Sequence, residues 1–366
     1  MPGMGRSLQT GNPTIVSAFH SALLRQMLWI VLILALLAVV WNVVRTVQYR
    51  RLVAAGGPPA PDRPVVLAPE PAGRRVLRIG FGLLWLFDGL LQVQASMPLG
   101  LASGVVRPAA ASSPSWVQHL VGSGATIWSN HPVQAAAATV WIQVGLGVWL
   151  LVAPRGRWSR SGGLASAGWG LVVWVFGEAF GGIFAPGATW LFGIPGAVLF
   201  YCAAGVLLAL PDRSWATPRL GRWILRVMGA FFVAMAALQA WPGRGYWQGG
   251  GTGSGGAGQG GTLTGMVQQM AQTHQPGFLA SWVGAFGSFD ASHGWAVNLF
   301  VVVALAAVGL ALLSGRPRPA LWGLVGAAVL CLADWVLIED LGFLGGLGTD
   351  PNSMIPMLLV IVGGYV

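Results

Sequence analysis

Two glutamates interrupt apolar stretches of this 366-residue chain in the same local setting. A carboxyl group in hydrocarbon is costly enough to need a reason. The first stands in Trp174-Val175-Phe176-Gly177-Glu178, followed by Gly181, Gly187 and Ile194-Pro195. The second stands in Trp335-Val336-Leu337-Ile338-Glu339, followed by Gly342, Gly348 and Ile355-Pro356. The copies lie 161 residues apart and share seven identities over 22 positions, where chance in this composition gives about two. A histidine precedes each, His131 and His293, matched at an offset of 162. A His–Glu pair can relay protons, orient a quinone carbonyl through a hydrogen bond, or contribute metal ligands. Trp174 and Trp335 stand one turn before their glutamates, where they can wall the same pocket.

Other polar residues interrupt apolar stretches as well. Gln92 and Gln239 match at an offset of 147, whereas Asp88 meets Met235 and Asp334 has no counterpart. Hydrogen bonding between helices accounts for these four as readily as chemistry does. The glutamates also have a plain reading, as interfacial groups or partners of Arg107 or Arg244, and His131 before Pro132 can simply shape a helix entrance. Neither copy alone supplies enough ligands for a closed metal centre. Met97, His119, Met266, Met270 and His274 would extend the set toward copper, but none has a His or Met partner in the other copy, and no metal site is assigned. Cys202 and Cys331 lack CxxC spacing and read as small buried hydrophobes. There is no P-loop, GxGxxG after a strand, HExxH, GxSxG or CxxCH.

The elements that must position these groups are membrane helices. Hydrophobic residues make up 55% of the chain and charged residues only 8%, against about a quarter charged in soluble domains. Apolar windows fall at 28–45, 76–95, 133–153, 163–182, 189–210, 222–241, 296–314, 320–339 and 353–366. The last is too short to span, which predicts that its helix continues past residue 366. The net charge of +10 comes from arginines clustered in short loops, a topology signature that excludes a nucleic-acid groove. Arg-rich loops at 45–78, 155–160, 213–222 and 316–318 alternate with Arg-poor ones. The rich loops are therefore read as cytoplasmic and the N-terminus as outside. The first helix lacks a cleavage site and reads as an anchor, not a signal peptide. Residues 249–261 read as a flexible outer loop. Short amphipathic stretches at 116–121 and 266–270 read as lids on the outer surface.

Further landmarks extend the repeat. Arg75, Gly82 and Leu91-Gln92 match Arg222, Gly229 and Leu238-Gln239; Val117-Gln118 matches Val267-Gln268; Gly147 matches Gly309. The expectation is an all-α polytopic membrane protein of two tandem, parallel four-helix units, 73–212 and 219–366. A tail and N-terminal transmembrane helix (1–52) and a cytoplasmic linker (53–72) precede them. An even helix count gives both units the same orientation. Arg75-Val76-Leu77-Arg78, running into Gly80-Phe81-Gly82-Leu83-Leu84-Trp85-Leu86-Phe87-Asp88-Gly89, together with the four-helix length, resembles the DoxX/DoxD-type family of bacterial four-helix membrane proteins. That resemblance implies a role beside a quinone-linked oxidoreductase, a quinone as cofactor and a soluble redox subunit as partner. The leading expectation is thus a subunit of a bacterial cytoplasmic membrane that supports quinone-linked redox or proton handling at its outer face. The competing one is a transporter or scaffold whose acids line a solute path or hold helices together.

Overall fold

The computed structural model describes residues 12–55, 69–244, 246–247, 263–273, 275–344 and 346–366. The glycine-rich run at 249–261, most of the 53–72 linker and His274 lie outside the described residues. The principal helices are α1 (Pro13–Ala54), α2 (Ala72–Leu91), α3 (Ser115–Asn130), α4 (Pro132–Val152), α5 (Gly156–Phe176), α6 (Ala197–Ala209), α7 (Pro218–Ala240), α8 (Leu263–Ala271), α9 (Gly277–Leu313), α10 (Pro317–Leu337) and α11 (Met354–Tyr365). Short helical turns between residues 97 and 110 join α2 to α3. Five of these helices, α1, α4, α7, α9 and α10, are long and apolar enough to cross a membrane.

Glu178 and Glu339 lie at one end of the bundle, here the acid end; Arg74 and Arg78 lie at the other, the arginine end. The window at 189–210 yields a shorter helix than expected, α6 with 13 residues, while 353–366 yields α11 with 12, in keeping with its short window. Both are about 20 Å long at 1.5 Å per residue, against about 30 Å of hydrocarbon. Ahead of each, the chain is loop. Residues 177–196, and 338–344 with 346–353, fold back into the protein, burying Ala179, Thr189, Trp190 and Leu191 in the first and Glu339, Asp340 and Leu347 in the second. Such irregular backbone is tolerated at depth only where protein covers it.

The repeated glycines are points of close helix contact. A Cβ on Gly147 would lie 2.7 Å from the Gly82 carbonyl oxygen, and one on Gly309 would lie 2.8 Å from that of Gly229. α2 against α4 and α7 against α9 therefore cross backbone to backbone, the usual use of small residues where lipid removes the hydrophobic drive for packing. α11 fits between α2 and α7 by the same means. Its Gly363 meets Leu77 and its Gly364 meets Ile224, where added Cβ atoms would come within 2.7 Å of each side chain.

Both histidines mark breaks in helices. His131 (φ −138°, ψ 56°) separates α3 from α4, and His293 (φ −128°, ψ 18°) is the one non-helical residue inside α9. Pro132 has no N–H to continue the hydrogen-bond ladder, so the first break is complete; Gly294 keeps its N–H, and the second is a kink. Consequently the stretch before His293 is helical from Gly277, about 19 residues earlier than the window at 296–314 implied. This also corrects the match of Val117 with Val267. By distance from the histidines, α3 corresponds to 277–292, which pairs Val117 with Leu279 and Val121 with Val283, all four buried. Val267 belongs to the separate helix α8.

α1 is 42 residues long, and only Phe19 and Ala22 are buried. It touches α4 near the acid end, where Gln26 Nε2 donates to Gln134 O at 3.3 Å and Trp141 Nε1 to Leu23 O at 3.2 Å. At the arginine end, two residues read as loop arginines are buried inside the bundle. Arg78 donates to both Glu70 carboxylate oxygens at 2.9 Å and to Leu150 O and Leu151 O at 3.1 and 2.8 Å. Arg74 donates to Pro154 O, to Ser159 Oγ at 2.9 Å and to Leu208 O at 3.2 Å. The two guanidinium groups thus satisfy carbonyls at the ends of α4 and α6 that have no partner within their helices.

Candidate functional site

The repeated residues build the two folded-back loops. Trp174 Nε1 donates to Pro195 O at 2.8 Å, and Trp335 Nε1 donates to Pro351 O at 2.9 Å. Gly181 (φ +60°) passes so close to this segment that a Cβ would lie 1.8 Å from Pro195 O; at Gly342 (φ +79°) it would lie 2.6 Å from Pro351 C. Only glycine meets both demands, left-handed φ and no side chain. Pro351, rather than Pro356, is therefore the spatial counterpart of Pro195. The second loop is shorter, and Pro356 lies inside α11; the Ile-Pro identity does not correspond in space.

Each glutamate faces the first turn of the helix that follows its loop. Glu178 accepts from Val198 N at 3.2 and 3.3 Å. Glu339 faces the Ser353 and Met354 amides, but its oxygens reach no hydrogen bond of ordinary geometry. A helix start, with unsatisfied N–H groups and positive dipole end, is a natural seat for a carboxylate.

The loops cross between the halves of the chain. Gln94 Nε2 donates to Gly348 O at 2.7 Å, and Phe87 meets Phe343 edge-on at 5.1 Å. In the other direction Tyr246 OH donates to Gly187 O at 2.5 Å, Arg244 to Ala188 O, and Thr189 to Gln239, which passes the chain on to Asn298 at 2.7 Å. Ser353 Oγ donates to Gly193 O at 2.5 Å and ties one loop to the other.

Beneath them lies a cavity of about 940 Å³. Its walls are mostly apolar, from α2, α3, α4 and α5, with both loops contributing. Four carboxyl groups line it: Asp88, Glu178, Glu339 and Asp350. Gln92, Thr139, Gln143 and Trp169 add polar atoms, and among the described residues none that lines it is basic. Several of these groups are buried without a partner: Asp88 Oδ1, Gln92 Oε1, Gln143 Oε1, Trp169 Nε1 and both Glu339 oxygens. Buried polar atoms are normally satisfied, so a cluster of orphans calls for a ligand, water or proton. Asp350, in the second loop, has its oxygens occupied by Thr349 Oγ1 and Asn352 N, both at 2.8 Å. Burial raises its carboxyl above the ordinary range, and those two hydrogen bonds pull it back.

The structure brings together Glu178, Glu339, Asp88 and Gln92, but not the histidines. His131 and His293 are exposed and line no part of the cavity, so no His–Glu pair forms. His293 stacks on Phe289 at 4.5 Å and shares its Nδ1 with Ser292 and Phe289 O; both rings belong to helix breaks. Trp174 and Trp335 brace the loops rather than wall the cavity. Gln239 is consumed by Thr189 and Asn298, and Asp334 is buried on α10, outside the cavity, with both oxygens unpaired. Among the described residues no three His, Cys, Asp or Glu side chains converge to hold a metal ion. Of the Met/His set, Met266 lines the cavity, Met97 and Met270 are buried in different apolar clusters, and His119 is exposed. Sequence reasoning missed Asp350, Gln143 and Trp169. Gln143 was visible as a polar residue within α4, whereas Asp350 stands in a loop whose fold nothing local announces.

No family model matches the chain, and no curated protein or solved structure matches it either.

Proposed function

We propose that this chain is a multi-pass protein of a bacterial cytoplasmic membrane, with its acid end outside, whose cavity binds a quinone-type ligand and exchanges protons with it. The clustering of arginines at the opposite end supports the orientation. The paired glycine crossings, Trp–Pro contacts and helix-facing glutamates support two tandem, parallel four-helix units. The observation that carries the functional reading is the set of unpaired polar groups in a large apolar-walled cavity, the usual make-up of a small-molecule site.

A quinone-type group, when bound, would supply two-electron chemistry coupled to protons. The chain's residues fit its head. Trp169 Nε1–H offers a donor to a ring oxygen, while Gln92, Gln143 and Asp88 offer acceptors. Asp88 is placed to take or return a proton at that oxygen. Glu178, Glu339 and Asp350, under the loops, are placed to pass it toward the acid-end surface. The resemblance of 75–89 to DoxX/DoxD proteins points the same way and would place a soluble redox partner at the outer face.

A cation path is the second reading, favoured by the four carboxyls with no basic residue beside them among the described residues. Titrating the purified protein in nanodiscs with a decyl-tailed benzoquinol and a pH dye separates the two. The quinone reading expects saturable binding, reduced at least about tenfold in affinity (about 1.4 kcal/mol) by Asp88→Asn, and proton release from bound quinol once an added one-electron oxidant takes its electrons. That release should be slowed in Glu178→Gln. Absence of quinol binding, with cation flux into liposomes that Asp88→Asn abolishes, would replace it by the cation path.

A further inference from the structure

One seam of the cavity carries exposed apolar side chains. α4 and α5 meet near the arginine end, where Trp149 Nε1 donates to Trp158 O at 3.0 Å and Gly162 lies against the Trp149 ring. Nearer the acid end both helices line the cavity. Two of their lining side chains are exposed, Ile142 at 38% and Val172 at 45%. Ile127 of α3, also lining, is 70% exposed. An opening framed by Ile, Ile and Val between membrane helices faces lipid rather than water. The equivalent seam between α9 and α10 is filled, with Leu305, Cys331 and Ile338 buried in one cluster.

The chemistry inside is mixed. Asp88, Gln92, Gln143 and Glu339 each leave a side-chain oxygen without a partner and Trp169 Nε1–H is an unpaired donor, while the Gln92 and Gln143 amide groups also carry N–H donors. A matching head must both donate and accept hydrogen bonds. With four carboxyls and, among the described residues, no basic one in the lining, a phosphate, sulfate or carboxylate head is repelled. An uncharged head bearing hydroxyl groups meets both conditions.

Resting on the quinone reading of the cavity, we infer that its ligand is the reduced, dihydroxy-aromatic form carrying an apolar tail. It enters sideways from the outer leaflet between α4 and α5. The head reaches Asp88 and Gln143, and the tail stays in the opening framed by Ile142 and Val172.

The test compares native protein in nanodiscs with the double variant Ile142→Trp/Val172→Trp, which plugs the opening. Val303→Trp, at a position 57% exposed on α9, is the lipid-facing control. The probes are a decyl-tailed hydroquinone, its oxidised form and the tail-less hydroquinone, followed by stopped-flow tryptophan fluorescence. Native protein should bind the tailed hydroquinone at least tenfold tighter than either of the other two. The plug should slow its association at least tenfold, while the control leaves it unchanged. Ile142→Ala/Val172→Ala, which widens the opening, should speed association and keeps the test alive if the plugged protein does not fold. Unchanged association in both double variants would overturn the sideways route. Preference for the oxidised or tail-less form would overturn the ligand assignment. No binding of any form to native protein would remove the quinone reading itself, an outcome distinct from the other two.

Discussion

The two halves of this molecule share their scaffold and differ in their interior. Both have a glycine crossing, Gly82 with Gly147 and Gly229 with Gly309, a histidine at a helix break, and a tryptophan holding a proline carbonyl. Both have a glutamate facing the start of the last helix. Yet the first half holds a cavity of about 940 Å³, and the pocket lined by Gln239, Thr264, Asp290 and Asn298 in the second is about 10 Å³. At matched positions Asp88 becomes Met235, Thr139 becomes Val301, Gln143 becomes Leu305, Trp169 becomes Leu330 and Gly177 becomes Ile338. The residues that repeat build loops and crossings, and Glu178, Glu339 and Gln92 among them also line the cavity. Asp88, Thr139, Gln143 and Trp169, which line it too, do not repeat.

The largest effect should come from breaking the shared scaffold. Gly181→Ala places a Cβ onto Pro195 O at a left-handed φ, and Gly342→Ala meets a looser contact. The first should cost at least about 3 kcal/mol and the second less, read as the order of melting temperatures in detergent. If both are silent, the loops are not built as described.

Making the first interior resemble the second sharpens the comparison. Asp88→Met/Gln143→Leu removes orphaned polar atoms and makes that part of the cavity apolar, and should stabilise the protein by about 1–3 kcal/mol while abolishing ligand binding. Stability given up at a site for function is the pattern expected of a binding site. A destabilised variant would mean that these groups hold the bundle together instead.

The smallest effect concerns Asp350. Burial raises its folded pKa, so its protonated form is favoured in the folded state. Its contribution is favourable below the ordinary carboxylate value near ~3.9 and is lost as pH rises through the raised folded value. Asp350→Asn should flatten that slope, leaving stability near pH 3 unchanged and raising it at neutral pH relative to native protein. Parallel curves would contradict the assigned burial.

Much of this was legible in the sequence, for identifiable reasons. Helices announce themselves by apolar length, and Asp88, Glu178 and Glu339 by the cost of a carboxyl among apolar residues. What was not legible is which residues meet. The loops cross between halves, so Asp350 reaches a cavity walled by α2–α5, and no periodicity encodes a contact of that kind. Unequal loop lengths placed Pro356 opposite Pro195 in sequence, although Pro351 takes that place in space. The histidines repeat as faithfully as the glutamates, yet they serve helix breaks, because sequence spacing fixed their depth and left their direction open.

The most direct measurement is the stoichiometry of quinol binding. Decyl-tailed benzoquinol titrated into the protein in nanodiscs should saturate at one molecule per chain and lose that site in Asp88→Met/Gln143→Leu. Two molecules per chain, or one that survives the substitution, would contradict the assignment of function to the unrepeated interior of the first half.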